Sequence, residues 1–202
     1  MKKLLFLILQ VAFYFFNCIN EIYQLFYSFY RRQSFKTKNN TFWVGTDLNI
    51  LGGNFISVGN ATKIGKHCVI HAYNKWNNSF FTPSISIGNK SIIGEYNHIS
   101  AINSIFIGDG FLSGRRVTIS DNNHGIINKN NLSIPPINRD LFSNGPIIIG
   151  KNVWVGENVC ILGNVKIGDG AIIGAGAIVT SDIPPFSVAV GVPAKVIKTI
   201  DL

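Results

Sequence analysis

The stretch that decides the fold is IIIGKNVWVGENVCILGNVKIGDGAIIGAGAIVTSDIP, residues 147–184. From Ile149 an aliphatic residue returns at every sixth position: Val155, Ile161, Ile167, Ile173 and Val179. Four residues further on, a second series runs Val153, Val159, Val165, Ala171, Ala177 and Ile183. Glycine follows the first series at Gly150, Gly156, Gly168 and Gly174. Six is a multiple of two and not of 3.6, so the repeat is made of strands and not of helix. A hexapeptide is too short for a strand and a return hairpin. It holds one short strand and one corner, where glycine or asparagine takes the unusual dihedrals. Three such units close a triangular coil of about 18 residues, and stacked coils bury the aliphatic series as one core, a parallel β-helix.

The same period extends outward from this stretch. It appears at Val58, Ile64 and Ile70, at Ile87, Ile93 and Ile99, and at Ile107 and Ile119 with Ser113 between them. Residues 42–202 therefore read as one all-β prism of roughly five to six coils. Two segments break the register, 71–86 (HAYNKWNNSFFTPSIS) and 121–146 (DNNHGIINKNNLSIPPINRDLFSNGP). Loops leaving a rigid scaffold are where function concentrates. Near the C-terminus, Pro184 and Pro185 are expected to end the strand ladder and cap its open edge.

Composition bounds the rest. A chain of 202 residues, 47% hydrophobic and 14% charged, is neither disordered nor a long charged helix. The formal net charge is +8, but Lys2, Lys3, Arg31, Arg32, Lys36 and Lys38 against Glu21 alone give +5 of it to residues 1–38. The excess brackets one greasy segment, so a general nucleic-acid surface is not expected. Cys18, Cys68 and Cys160 are odd in number and widely spaced. They fit neither a disulfide framework nor a zinc site, which favours a reducing compartment, and no metal is expected.

Residues 1–35 are a separate object holding 11 of the 24 aromatic residues. Leu4–Ile19 is almost wholly apolar; then Ile22, Leu25, Phe26 and Phe29 recur at helical spacing, with Tyr23, Tyr27 and Tyr30 suited to a headgroup-level belt. A signal peptide would need a small-residue cleavage site, which is missing. A spanning helix would carry Glu21 and positive charge at both ends. A helix lying in the membrane interface accounts for the basic ends and the amphipathic second half. A helix packed on the protein or on a sister chain is the remaining reading. Residues 31–41 read as a short linker.

The segment IGKNVWVGENVCILGNVKIGDGAIIGAGAIVTSDIPPFSVAVGVPAKVIK closely resembles the hexapeptide-repeat acyltransferases. In pattern it is most similar to the galactoside and maltose O-acetyltransferases and to the O-acetyltransferases of bacterial surface-polysaccharide synthesis. The resemblance covers about residues 85–200 and is specific over 147–198. It implies a left-handed coil, an exception to the usual crossover rule. It further implies a homotrimer with acetyl-coenzyme A bound in a cleft between neighbouring prisms.

Acyl transfer from a thioester to a hydroxyl needs a base for the hydroxyl proton, and histidine suits that task near neutral pH. The chain has His67, His71, His98 and His124. His124, in TISDNNHG where the second insertion leaves the prism, matches the family's catalytic base in its spacing to the following rung. His67 and His98 read as surface or structural groups, and His71 as a possible acceptor-site residue. Asp121, a candidate for acceptor binding, or a backbone carbonyl would orient His124. By the same resemblance Trp154 would contact the pantetheine arm, and Gly156, Ala175 and Thr180 would face coenzyme A, with Lys195 at its phosphates. Trp154 and His124 are both expected to face outward. Asn97 and Asn103 would form an internal amide ladder, or one would reach the acceptor sugar. Arg115 and Arg116 would attract an anionic acceptor.

The expected activity is acetyl-CoA-dependent O-acetylation of a bacterial surface polysaccharide or its lipid-linked precursor, at the cytoplasmic face of the inner membrane. An N-acyltransferase of an amino-sugar nucleotide uses the same scaffold and base and is the main rival. A non-catalytic β-helix scaffold is the reading from another class. A β-helix carbonic anhydrase would need three zinc-binding histidines, and His67 and His71 are out of phase with the rung.

Overall fold

The computed structural model describes residues 2–38 and 40–200. Three parallel ladders make the faces of a prism, a β-helix. The first face stacks Trp43–Val44, Lys63–Ile64, Ile92–Ile93, Leu112–Ser113, Trp154–Val155, Ile172–Ile173 and Ser187–Val190. The second stacks Asn49–Leu51, Val69–Ala72, His98–Ala101, Thr118–Ser120, Cys160–Leu162 and Ile178–Val179. On the third lie Ile56–Val58, Ser84–Ile87, Ser104–Ile107, Ile147–Ile149 and Val165–Ile167. Trp154 pairs with Ile172 and Cys160 with Ile178, each eighteen residues on, which is the coil length expected from three hexapeptides.

All twelve aliphatic positions of residues 149–183 are buried, as are the earlier members of the period. Ser113, the polar member, is buried too and accepts from the Gly94 N–H at 3.0 Å. At the corner between the first and second faces, His67, Tyr96, Arg116 and Asn158 all have φ near +57°, stacked in one column. L-residues pay for that conformation, and asparagine pays least among the non-glycines here, which accounts for Asn152, Asn158 and Asn164 at corners.

Helix Lys2–Arg32 closes the N-terminal end of the prism. The Ser28 hydroxyl accepts from the Val44 N–H and the Tyr27 hydroxyl from the Leu48 N–H, both at 2.9 Å, while Arg31 donates to the Leu48 carbonyl at 2.7 Å. These bonds occupy backbone groups that the first coil would otherwise expose as an open edge. Phe35 is 0% exposed and meets Phe42 edge-to-face at 5.2 Å, a plug in the mouth of the core. Residues 31–38 are therefore part of the cap and not a linker: apolar burial at the open end outweighs the basic, polar composition. Asn17, Glu21, Gln24, Ser28 and Arg31 share one side of the helix; Ile19, Ile22, Phe26 and Phe29 lie exposed on the other. No helix among the described residues is long and apolar enough to cross a membrane.

The C-terminal end differs from the expectation. Pro185 stacks over Gly168, but the ladder continues through Ser187–Val190, and the antiparallel strand Lys195–Thr199 closes the first face. An exposed edge is ended here by reversing the chain, not by proline.

Candidate active site

Both insertions leave the same corner, between the second and third faces. One departs after Val69–Ala72 and the other after Thr118–Ser120; the coil between them turns that corner directly through Ile102 and Asn103. The insertions therefore meet above it. The Trp76 indole N–H donates to the Arg139 carbonyl at 3.1 Å, and the Asn77 side-chain amide donates to the same oxygen at 3.3 Å. An open cleft of about 370 Å³ remains between them, walled by Phe80, Asn103, Leu141 and Phe142.

His124 stands on the second insertion. Its backbone is held in the short strand Asn123–His124, paired antiparallel with Leu141–Phe142. The imidazole is exposed and meets the Trp76 ring edge-to-face at 5.4 Å. Neither ring nitrogen bonds to protein among the described residues, so both are open to a ligand. A hollow of about 410 Å³ lined by Asn123, His124, Ile126, Ile127, Phe142 and Asn144 opens beside it.

The other expected residues fall into three groups. Trp154 is 52% exposed on the outside of the first face, and Gly156 and Ala175 sit at the corner that follows it. Lys195 pairs with Val190 at the end of the same face. Gly156 is needed there for stacking: a Cβ would lie 2.6 Å from the Ala175 nitrogen. Its own N–H donates to the Ile173 carbonyl at 2.8 Å, so that donor is already used. Thr180, exposed, lies instead at the corner from which the His124 insertion leaves. Trp154 and His124 both face outward, as expected, but from different faces of one prism.

Asn97 and Asp121 point inward, which corrects their assignment to the acceptor. Asn97 is 2% exposed, accepts from the Val117 N–H at 2.8 Å and donates to the Ser113 hydroxyl. Asn103 lies outside on the cleft wall, so the two amides form no ladder. Asp121, 1% exposed, accepts from the Ile102 N–H at 2.9 Å and the Asn103 N–H at 3.0 Å. It clamps the corner beneath the insertions and bonds to neither nitrogen of His124. Burial raises its carboxyl pKa against the opposing pull of those bonds.

Arg115 and Arg116 are a face away from His124. Arg115 pairs with Glu95 at 3.3 Å, and both guanidiniums lie over the Tyr96 ring, at 5.5 and 5.8 Å. His67 stacks on Tyr96 at 4.7 Å, completing a corner column. The groups that sequence reading missed are Tyr73 and Trp76, which bring the first insertion to His124; their aromatic density within residues 71–86 was the available signal.

Residues 146–181 match the family profile of the bacterial transferase hexapeptide, six repeats. That segment is a hexapeptide repeat. The chain is 41% identical over 110 residues to Escherichia coli K12 WbbJ, named for O-acetyl transfer in lipopolysaccharide biosynthesis, covering 52% of this chain and 56% of that protein. It is 38% identical over 118 residues to the Escherichia coli K12 galactoside O-acetyltransferase, covering 56% and 49%. The chain thus spans about half the length of the curated relatives it matches. Among solved structures, AntD, an N-acyltransferase from Bacillus cereus in complex with dTDP and 3-hydroxybutyryl-CoA, superposes with TM-score 0.64 at 22% identity, over 79% of this chain and 80% of that one. At that identity the likeness concerns the fold.

Proposed function

We propose that the protein is an acetyl-CoA-dependent O-acetyltransferase acting on a sugar hydroxyl of a bacterial surface polysaccharide or its precursor. The observation that carries this reading is His124, exposed and bond-free at the edge of a transferase hexapeptide prism. His124 would take the acceptor proton as the oxygen attacks the thioester carbonyl. The C–S bond then breaks, and the imidazolium returns the proton to the leaving thiolate, in one ternary complex.

Trimer formation would complete the site. The middle coils expose apolar side chains on the first and third faces, with Ile92, Leu112 and Trp154 on one and Phe106 and Ile148 on the other. If the first face packs on the third face of the next copy, their shared edge lies on the threefold axis. The corner bearing His124 then meets the partner subunit's Trp154, Gly156 and Ala175. An exposed indole, small corner residues and a nearby lysine suit a pantetheine arm and its phosphates. This assembly assumes the left-handed coil of the resembled family. AntD couples the same fold to N-acylation, but the higher identity is to two proteins named for O-acetyl transfer, and that favours a hydroxyl acceptor.

The exposed apolar side of helix Lys2–Arg32, bracketed by basic residues, supports a seat on the cytoplasmic face of the inner membrane. Since Phe35 belongs to the core, a truncation that tests this must stop before Gln24. Removing residues 2–20 should release the protein from anionic vesicles without unfolding it.

The deciding experiment is His124→Ala with labelled acetyl-CoA and candidate glycans. Turnover should fall by roughly 10²–10⁴, the usual cost of losing a general base. Undiminished turnover sinks the enzyme reading, and NMR of the product separates ester from amide.

A further inference from the structure

The outside of the second face carries a row of rings that acyl transfer itself does not use. From His124 the row steps to Trp76 at 5.4 Å, to Tyr73 at 5.8 Å, to His71 at 5.4 Å and to His98 at 6.2 Å. Every step is steep, with interplanar angles of 70°, 88°, 86° and 81°, so the rings present faces and edges alternately. His71 is fixed at both nitrogens, by the Tyr73 hydroxyl at 2.9 Å and the Asn49 side-chain oxygen at 3.1 Å. Burial, with His98 beside it, holds His71 below its ordinary pKa, and burial does the same for His98. Both His71 and His98 are thereby biased toward the neutral form.

Asn49 belongs to the first coil, His71, Tyr73 and Trp76 to the second, His98 to the third, and His124 departs from the fourth. The rings thus span the second to the fourth coil, two inter-coil steps of about 4.8 Å or roughly 10 Å. Half-buried aromatic rings flanked by amide, imidazole and hydroxyl groups suit carbohydrate: ring C–H faces cover the aromatics and sugar hydroxyls bond the polar edges. Among the described residues, the two cations beside the row each have a partner of their own. Lys75 lies over the Phe80 ring at 5.3 Å, and the Arg139 guanidinium donates to the Ile134 and Leu132 carbonyls. Arg115 and Arg116 are at the opposite corner. Within this chain a nucleotide diphosphate would find little uncommitted counter-charge along the track, whereas a neutral glycan needs none.

We infer that this row is an extended acceptor shelf, seating additional neutral sugar rings of a glycan whose reacting hydroxyl lies at His124. The inference rests on the proposed acyl transfer for the identity of the reacting end only. Its consequence is a preference for acceptors of several rings over single sugars, set by Tyr73 and His71 on the prism and the first insertion. Trp76 has a second task as a positioning residue, since its ring is the wall against which His124 rests.

The test is binding without acyl donor, so that it is independent of turnover. The full chain is titrated with hexose and N-acetylhexosamine oligomers of one to four rings, following tryptophan indole NMR signals. Affinity should rise with ring number for at least one series. Tyr73→Ala and His71→Ala should lower the multi-ring affinity by about tenfold, which corresponds to ~1.4 kcal/mol. Tyr73→Phe, which keeps the ring, should retain most of it, and unchanged melting of the alanine variants separates lost contact from lost fold. Affinity independent of ring number, no binding by any oligomer, or indifference to Tyr73→Ala overturns the shelf. Length-dependent binding with no acetyl transfer would instead leave the shelf standing and remove the enzymatic reading.

Discussion

Residues 147–183 and the corner that bears the two insertions are made of the same coils, yet they carry different information. In the first, every interior position repeats, the strands up to Cys160–Leu162 pair eighteen residues on, and little departs from the prism. In the second, the interior still repeats through Ile70, Ile99 and Ile119, while the outside leaves twice and returns. The difference teaches that interior period secures the scaffold and lets a corner extrude long segments at no cost to the stack. A loop end fixed by a rigid coil can hold His124 and Trp76 together even though 48 residues separate them.

The largest effect expected from this contrast is in the regular stretch. Ile161→Ala removes a fully buried side chain between Ile119 and Val179 and should cost about 2–5 kcal/mol in denaturant unfolding. Acetyl transfer per folded molecule should stay near the parent value. A large fall in specific activity at unchanged stability would break the division between scaffold and corner.

Asp121→Ala comes next and probes the junction itself. It leaves the Ile102 and Asn103 N–H groups without their carboxylate, a loss of about 1–3 kcal/mol for buried donors. Because both insertions rest on that corner, the rate should fall along with stability. Arg115→Ala, on the opposite corner, removes an exposed pair with Glu95 and should change stability by no more than about 1 kcal/mol. Loss of acceptor affinity in Arg115→Ala would return the arginines to the site, through a neighbouring subunit.

These cases also show what the sequence could and could not disclose. The interior was legible because packing inside a closed triangle permits only one phase; Val153, Ile161 and Ile173 could be placed by counting. Handedness is not in a count of six. Phe35 escaped because its neighbours are basic and polar, and only the open end of the core explains its burial. Arg115 and Arg116 lie eight or nine residues before His124 and look adjacent, but a strand of the second face separates their corners. Asp121 and Asn97 carry polar side chains that suit a site equally well as a buried clamp, and their direction is set by which backbone donors lie within reach. The row from His98 to His124 is assembled by coil stacking across three coils, so spacing along the chain gives no hint of it.

The finest test of the contrast uses pH. His71 and His98 sit on the outside of the second face with pKa values lowered mainly by burial, and for His71 also by the proximity of His98. In the unfolded chain both return to the ordinary value near 6.5. Below that value the unfolded state binds protons that the folded state resists, so stability falls as pH drops from about 6.5 through the depressed folded values. Residues 147–183 contain no histidine, and their interior should contribute no such slope. His98→Gln removes one titrating group and the like charge facing the other. It should therefore flatten the acid limb of the melting curve while leaving neutral-pH melting almost unchanged. An acid limb as steep in His98→Gln as in the parent would assign the loss to other groups, Asp121 excepted: its raised pKa favours the protonated folded form and works in the opposite direction.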